Sequence, residues 1–455
     1  MRSRILRLSR LSRISRISRL LAALLAVVVV VPASAQDSTR GVRIGLRYDP
    51  ATKPGIALLP IPGFAGDSVQ TILERDFDFS NRLAVVTLMT AEGLLLAGDR
   101  PSAGAAGGAA RLNYPLFAKL GAAAVLQITP IKDGLHVALH EVGRAQVASV
   151  EEFRLPTPEL GKEWRYAVHG VADAVVEWIT GQRGMAQSRI AFIRGNVVRI
   201  IDSDGHGEEA LPMLGAALSP SWHPSGSIIA YNTFGPESRI VLHDLRTGRT
   251  RDLGAQRNTT NVTPVFTPDG KSLAYSLSTE NGADLYVMTL DGEAFPRRVT
   301  VGRGSMNVQP SFSPDGNRVA FMSDRSGHPE VYIMDADGTN ADLFTAFDFG
   351  DQNYRASPDW SPDGRQVTFQ TRIDWRFQIF TMSLRDRQPR QLTSEGENED
   401  PSWAPDGRHI VFSSTRSGTR QLWILDTESG RLRQLTQAGG SRVPAWSPRL
   451  IAKER

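Results

Sequence analysis

The sequence predicts an α/β N-terminal domain followed by an all-β six-bladed β-propeller that is closed by a C-terminal strand. Three observations support this prediction. A block of about 44 residues recurs through the second half of the chain, each block contains four short strand-like segments, and the first and last blocks are incomplete. Repeats of this length with four strands per unit are typical of propeller blades.

The first strand of each block carries the pattern Pro-x-(Trp or Phe)-x-Pro-(Asp or Ser)-Gly. Its copies begin at Pro220, Pro264, Pro310, Pro358 and Pro401, with a truncated copy at Pro444. The second Pro and the Gly favour a tight turn, so an apolar second strand such as Val319-Ala320-Phe321 is expected to run back antiparallel to the first. Alternating third strands and short polar fourth strands complete each blade and protect its outer edge.

The two incomplete blocks predict how the ring closes. The strand-like segment Ile190-Ala191-Phe192 has no blade Pro before it, whereas the strand at Pro444 has almost no chain after it. Each incomplete block supplies what the other lacks. We therefore expect Trp446 to lie beside Ile190 in a sixth blade.

The sequence divides into a signal peptide (1–35), a mixed α/β domain (36–183) and the propeller (184–455). The first segment has seven Arg, a twelve-residue apolar run at 20–31 and the small-residue pattern Ala33-Ser34-Ala35, which predicts cleavage after Ala35. The apolar run is too short to span a membrane as a helix. The sequence therefore predicts an exported protein.

Charge and cysteine content limit the possible functions. The net charge is +4, but loss of residues 1–35 removes seven of the 52 basic residues and none of the 48 acidic ones, which leaves −3. A mature chain of this charge lacks the basic excess expected of a nucleic-acid-binding protein. The chain has no Cys, so its stability must come from burial rather than from disulfides.

The N-terminal domain is expected to mix strands and helices. The strands are expected at 42–48, 56–59, 83–88, 123–129, 135–141 and 147–155, and the helices at 67–77, 114–120 and 162–180. The last helix carries an apolar stripe from Trp164 to Ile179 at spacings of three and four, and Gly181 is its expected end. The Ala/Gly segment 103–110 is expected to form a loop.

No linear pattern indicates a catalytic, cofactor or metal site. His136 and His140 lie on an expected strand, which places them about 13 Å apart, too far to share a metal ion. The segment 202–208 resembles a calcium loop, but its Gly comes too early for an EF-hand, so a turn is favoured. The Trp residues at 222, 360, 403 and 446 share one repeat position with Phe266 and Phe312, which indicates core packing rather than sugar stacking.

Blade differences favour one face of the ring as the functional surface. The loops that lead into the first strands and the turns between second and third strands share a face, which we call the upper face; the Pro-Asp-Gly turns lie on the opposite, lower face. The upper loops are polar and rich in Asn, and the turns add Arg325, Arg372, Trp375 and Arg416. Mixed charge with an exposed aromatic residue favours protein docking over plain solvation.

The repeats, together with the segments 164–169 and 179–192 at the domain junction, resemble the TolB family of periplasmic propeller proteins of the Tol-Pal system. Other matching segments are Asp284-Leu285-Tyr286-Val287-Met288, Ser323 to Tyr332, and Pro444-Ala445-Trp446-Ser447-Pro448. The resemblance implies a non-enzymatic monomer without a cofactor. It also implies an adaptor that supports envelope integrity and cell division and associates peripherally with the outer membrane.

The resemblance also implies two partners. The lipoprotein Pal is expected on the upper face and TolA at the mature N-terminus. The expected Pal-binding residues lie in the loops before each blade Pro, namely Thr260, Asn261, Asn307, Gln309, Asn353, Arg355, Asn398, Glu399, Ser441 and Arg442. The expected TolA-binding segment is Val42, Arg43 and Ile44.

Two alternatives stay open at this point. One is an enzyme or enzyme-associated propeller, such as a polysaccharide lyase or the gating domain of a peptidase, whose ligands could be assembled from several blades. The other is a carbohydrate-binding scaffold.

Overall fold

A computed structural model describes residues 53–63, 66–88, 112–157, 160–234, 238–254, 260–291, 295–302, 304–346 and 354–449. The expected signal peptide with Ala33 and Ala35, the strand at 42–48 with Val42, Arg43 and Ile44, the loop at 103–110 and Asn353 lie outside the described residues.

The described residues of the N-terminal part form one five-stranded sheet and three helices. Its strands are β1 (Gly55–Leu58), β2 (Ala84–Val86), β3 (Ala122–Ile131), β4 (Gly134–Glu141) and β5 (Gln146–Arg154), and its helices are α1 (Gly66–Ser80), α2 (Tyr114–Lys119) and α3 (Lys162–Thr180). The sheet order is β2-β1-β3-β4-β5, with parallel pairs on both sides of β1 and antiparallel hairpins from β3 to β5. The α/β class is therefore confirmed.

Helix α3 packs its apolar stripe into the core of this part. Trp164, Val168, Val171 and Val175 are buried together with side chains of α1 and the sheet. The helix ends at Gly181, whose φ of 75° is left-handed and whose N–H donates to the Glu177 carbonyl at 2.8 Å. A glycine is favoured here because a β-carbon is disfavoured in that conformation.

Six four-stranded antiparallel sheets follow and form the blades, which confirms the predicted propeller. Blades 1 to 3 comprise β9 (Ala216–Trp222), β10 (Ile228–Phe234), β11 (Ile240–Asp244), β12 (Thr250–Asp252); β13 (Thr260–Phe266), β14 (Ser272–Thr279), β15 (Gly282–Thr289), β16 (Arg297–Arg298); and β17 (Asn307–Phe312), β18 (Arg318–Ser323), β19 (Glu330–Asp335), β20 (Asp342–Leu343). Blades 4 to 6 comprise β21 (Arg355–Trp360), β22 (Gln366–Ile373), β23 (Arg376–Ser383), β24 (Pro389–Gln391); β25 (Asn398–Trp403), β26 (His409–Ser414), β27 (Gln421–Asp426), β28 (Leu432–Gln434); and β29 (Arg442–Trp446) with β6 (Arg189–Arg194), β7 (Val197–Asp202), β8 (Glu209–Ala210).

The sixth blade closes the ring as the sequence predicts. Strand β29 pairs antiparallel with β6, and Trp446 lies opposite Ile190. The Trp446 indole N–H donates to the Ser188 hydroxyl at 2.7 Å, and the Trp446 amide donates to the Ser402 hydroxyl of blade 5 at 3.1 Å. The C-terminal strand thus joins blades 5 and 6.

The repeated aromatic position lies between blades. The indoles of Trp222, Trp360, Trp403 and Trp446 are all buried, as is Phe266, which confirms the core interpretation. The Pro-Asp-Gly turns are tight. In blade 3 the Gly316 amide donates to the Ser313 carbonyl at 2.8 Å with a left-handed φ of 73°.

None of the helices among the described residues is both long enough and apolar enough to cross a lipid bilayer.

We expect Trp446→Ala to lower the free energy of unfolding by about 3–5 kcal/mol, because it leaves a cavity at the closure and removes the bond to Ser188. Chemical denaturation followed by tryptophan fluorescence and circular dichroism would measure this. The matched control is Trp375→Ala, since that side chain is 76% exposed. Equal denaturation midpoints for the two variants would contradict a closure that depends on Trp446.

Candidate functional site

The upper face is assembled where each first strand begins beside the end of the second strand. The register pairs Asn307 with Ser323 in blade 3, and Asn398 with Ser414 in blade 5. The residues that the sequence placed in loops before the blade Pro are therefore, in large part, the first residues of the inner strands. This corrects the loop assignment for positions 260, 261, 307, 309, 355, 398, 399 and 442.

Each inner strand bends at one repeated position. The residue directly before the blade Pro has positive φ, between 44° and 56°, in all six blades. These residues are Ser219, Thr263, Gln309, Ser357, Asp400 and Val443, and we call them the inner belt. Positive φ is uncommon outside glycine, and in blades 2 to 6 the position falls inside a break of the strand register. Such bulges often re-aim side chains near functional sites.

Hydrogen bonds run between neighbouring members of the inner belt. The Gln309 amide N–H donates to the Thr263 hydroxyl at 3.2 Å, and the Ser357 N–H donates to the Gln309 side-chain oxygen at 2.9 Å. The Ser357 hydroxyl donates to Asp400 at 3.2 Å. Burial raises the pKa of the Asp400 carboxyl, and the hydrogen bonds from the Ser357 hydroxyl and the Val443 backbone, together with the charge of Arg442, partly offset that effect. The belt ties blades 2 to 5 together at the inner strands.

Four of the expected Pal-binding residues are buried. Asn307, Arg355, Asn398 and Ser441 are each at most 1% exposed. For Asn307, Arg355 and Asn398 the reason is geometric, because the inner strand already pairs with the second strand at these positions and their side chains point between blades. Ser441 lies directly before β29. In this structure these four side chains have no surface to offer a partner directly.

Three of these buried residues hold an arginine at the upper face instead. The Arg325 Nη2 donates to the Asn307 Oδ1 at 2.7 Å, and the Arg416 Nη2 donates to the Asn398 Oδ1 at 2.9 Å. Two guanidinium nitrogens of Arg194, Nε and Nη2, donate to the Ser441 hydroxyl.

In blade 4 the corresponding residue is itself a cation. Arg355 is buried and pairs with the buried carboxylate of Glu330. A buried charge of this kind requires such a partner, because it has lost its hydration.

The other expected residues have mixed positions. Gln309 is partly buried in the inner belt, Glu399 pairs with Arg420, and Arg442 donates to the Asn196 side chain at 3.0 Å. Thr260 and Asn261 begin β13, but their side chains lie outside the described part of the structure. The assignment of all ten residues to Pal binding stays a prediction.

Trp375 is the most exposed tryptophan of the described residues, at 76%. It occupies the two-residue turn between β22 and β23, where Asp374 and Trp375 have φ of 48° and 65°. Positive φ at both central positions is the pattern of a type I′ turn, which favours Asn-Gly and disfavours a large side chain. The upper turns of blades 3 and 5 use Gly327 and Gly418 in their left-handed positions. Trp375 is therefore exposed at a backbone position that disfavours it.

A polar groove opens beside Trp375, between blades 4 and 5. It is lined by Trp375, Arg376, Glu395, Glu397, Thr415 and Arg416. One wall is aromatic and the others carry both charges. This combination suits a protein surface with an apolar anchor surrounded by polar contacts.

A second polar cluster, which the sequence did not predict, joins the N-terminal part to the propeller. His169 on α3 is fully buried, and its Nδ1 lies 2.6 Å from the Asp76 Oδ2 on α1. Its Nε2 lies 4.0 Å from the Asp204 Oδ2 in the turn after β7. No linear motif could have shown this, because the three residues come from three distant segments.

Asp76, His169 and Asp204 could in principle hold a metal ion, since one ligand atom from each lies within 4.8 Å of the others. However, Arg165 and Arg75 both donate to the Asp204 carboxylate. Two guanidinium groups on one carboxylate oppose binding of a divalent cation. We interpret the cluster as an ion-pair network, and the segment 202–208 is a turn, as predicted, with the Asp202 amide donating to the His206 carbonyl at 2.9 Å.

The electrostatics of His169 follow from this geometry. Burial lowers the pKa of the His169 imidazole, but the charge and hydrogen bond of Asp76 and the charge of Asp204 more than offset it, so that the pKa stands above its ordinary value. The folded protein therefore favours the imidazolium form between two carboxylates.

These observations define a closed six-bladed β-propeller protein with an appended α/β unit and a differentiated upper face. The family model described as "TolB beta propeller domain" matches residues 176–450. The chain belongs to this TolB propeller family.

Individual proteins of known identity are also similar to this chain. The chain is 34% identical over 165 residues to the Tol-Pal system protein TolB of Polaromonas sp., and 29% identical over 210 residues to that of Methylococcus capsulatus. These alignments cover 33% and 43% of this chain, and only 37% and 46% of the relatives. The crystal structure of TolB from Acinetobacter baumannii superposes with a TM-score of 0.73 at 24% identity, over 90% of this chain and 98% of that one, which shows the shared fold.

We expect the stability that His169 contributes to depend on pH. Because its folded pKa is raised, this contribution is fully present below the unfolded value of about 6.5 and is lost as the pH rises through the folded value. His169→Gln should cost about 3 kcal/mol near pH 6 and less at about pH 8.5. Urea unfolding at both pH values measures this.

The control for this prediction is His136→Gln, since the His136 side chain is 41% exposed. A cost for His169→Gln that is the same at both pH values would show that folding does not raise the pKa of His169.

Proposed function

We propose that this protein is a non-enzymatic, exported adaptor of the Tol-Pal system that works in the periplasm. It binds Pal through the upper face and TolA through the mature N-terminus, and so supports outer-membrane integrity and constriction during cell division. Membership of the TolB propeller family and relatives named Tol-Pal system protein TolB support this proposal. The observation that carries the docking role is the exposure of Trp375 at a turn position that disfavours it.

The proposal that Pal binds the upper face rests on backbone strain at Trp375. Residues held in sparsely populated backbone conformations persist where the surrounding structure imposes them, and they cluster at functional sites. Trp375 has both this strain and a large apolar surface in water, beside a groove with charged walls. A tryptophan of this kind is a typical anchor of a protein interface.

The TolA side of the proposal rests on the resemblance of the segment Val42-Arg43-Ile44, which lies outside the described residues. We propose that this segment alternates between a docked and a released state, and that Pal and TolA influence each other through it. The domain division at residue 183 and the monomeric state likewise stay predictions.

We expect Trp375→Gly to weaken Pal binding by about tenfold or more while it leaves the fold intact, since an aromatic anchor typically contributes over 1 kcal/mol to an interface. Gly suits the turn, so stability should be unchanged or higher by about 0.5–1 kcal/mol. Calorimetric titration with the periplasmic domain of the cognate Pal, together with thermal unfolding, measures both effects.

The matched control for Trp375→Gly is Phe295→Gly, because Phe295 is 97% exposed but lies between β15 and β16, on the lower face. Its removal should leave Pal affinity unchanged. Equal Pal affinity for wild type and Trp375→Gly would reject the groove as the docking surface.

We expect deletion of residues 36–46 to abolish TolA binding and to leave Pal binding intact or stronger, because the segment is proposed to bind TolA, whereas Pal is proposed to bind the upper face. Surface plasmon resonance with the periplasmic part of the cognate TolA and with Pal measures the two affinities separately. Loss of both affinities would reject the switch, and full retention of TolA binding would reject the assignment of the segment.

A further inference from the structure

Blades 3 and 5 present one arginine each at the upper face in the same way. The Nε atoms of Arg325 and Arg416 both donate at 3.0 Å to a serine hydroxyl two residues earlier, and both Nη2 atoms donate to a buried asparagine. Each guanidinium also lies over two blade aromatics, Phe321 and Tyr332 in blade 3, and Phe412 and Trp423 in blade 5. Their positions are therefore fixed before any partner arrives.

Arg372 occupies the upper end of β22 in blade 4, between these two. Its guanidinium carbon lies 4.9 Å from the Tyr354 ring centre, 5.3 Å from Phe377 and 6.0 Å from Trp375. Three consecutive blades thus present an arginine held by aromatic rings. We call Arg325, Arg372 and Arg416 the arginine triad.

The arginine triad has no carboxylate partner among the residues that the structure describes. Most other arginines near the upper rim are paired, as Arg194 is with Glu208 and Arg420 with Glu399. The nearby Glu395 interacts favourably with Arg416, but burial of the guanidinium outweighs it and lowers the pKa of Arg416. In Arg325 and Arg416 the serine and asparagine occupy Nε and Nη2, which leaves Nη1 without a protein acceptor among the described residues.

We propose that the arginine triad binds individual carboxylate groups of a protein partner on the upper face. The inference deepens the proposed docking function and rests on it, because it names the chemistry that the face recognises. A guanidinium held along one edge offers its other edge to a carboxylate, and pre-positioning lowers the entropy lost on binding. Trp375, which contacts Arg372, would provide the apolar anchor beside these charge pairs.

The charges around the triad favour separate carboxylates over a polyanion. Asp324, Asp374, Glu395 and Glu397 lie on the same face, and they would repel a phospholipid surface or a nucleic acid. A protein partner can place its carboxylates at the arginines and its cations at these acidic residues, whereas a uniformly anionic surface would place negative charge against both.

The test compares the mature chain with the triple variant Arg325→Gln, Arg372→Gln, Arg416→Gln. The control is Arg365→Gln, whose side chain is 84% exposed on the lower face. Calorimetric titration with the periplasmic domain of the cognate Pal should show about 30-fold weaker binding for the triple variant and no change for the control. Arg416→Lys should recover only part of the affinity lost in Arg416→Gln, because Lys keeps the charge but not the planar fork.

The outcomes separate this inference from the proposed function. If Pal binds wild type and triple variant equally, the arginine triad is rejected while Pal docking stands. If Pal binds neither, the proposed partner fails. Calorimetric titration with a twelve-residue peptide that carries three spaced Glu, and with its Gln counterpart, then decides the inference. Glu-dependent binding that the triple variant loses supports the inference, and no difference between the two proteins overturns it. Triad-dependent cosedimentation with phosphatidylglycerol vesicles would also overturn it, in favour of a lipid surface.

Discussion

The pairing of β29 with β6 is the constraint on which the rest of the structure depends. It joins segments 258 residues apart, since the Arg189 amide donates to the Ser447 hydroxyl and the Ser447 amide donates back to the Arg189 carbonyl. The entropy of closing a loop grows only slowly with its length, so a short strand with a buried Trp446 can offset it. Without β29, the inner edge of β6 in blade 6 would be unpaired, and the upper face would have no fixed geometry.

Within the closed ring, the inner belt determines which side chains reach the surface. The positive φ before each blade Pro recurs six times, so it belongs to the repeat and not to one blade. Because the inner strand pairs with its neighbour before the bulge, the side chain three residues before the Pro is buried and acts on a second residue at the rim. Asn307 thus positions Arg325, and Asn398 positions Arg416. The surface chemistry therefore differs between blades although the backbone is nearly the same in each.

The sequence predicted the parts of the fold that repeat or have a helical period. The spacing of the blade Pro gave the blade count, the unmatched Ile190 and Trp446 gave the closure, and the stripe ending at Gly181 gave the bounds of α3. It did not predict that Asn307 and Asn398 are buried, because a bulge changes the strand register and leaves no pattern in the composition. The sequence did not predict the cluster of Asp76, His169 and Asp204 for a different reason, because only tertiary packing brings those three segments together.

The N-terminal part contacts the propeller from the side opposite the upper face. Arg82 on the N-terminal side pairs with Asp406 in the lower turn of blade 5, and Asn81 bonds to Asp426, which Arg408 also pairs with. Arg408 and Arg416 flank the same strand, β26, all of whose residues are buried. Strand β26 is therefore a short covalent link between Arg408, at the contact with the N-terminal part, and Arg416 of the arginine triad. A packed strand transmits a conformational change only if the side chains around it have two stable arrangements. Any coupling between Pal binding and TolA binding through β26 therefore requires that blade 5 itself can repack.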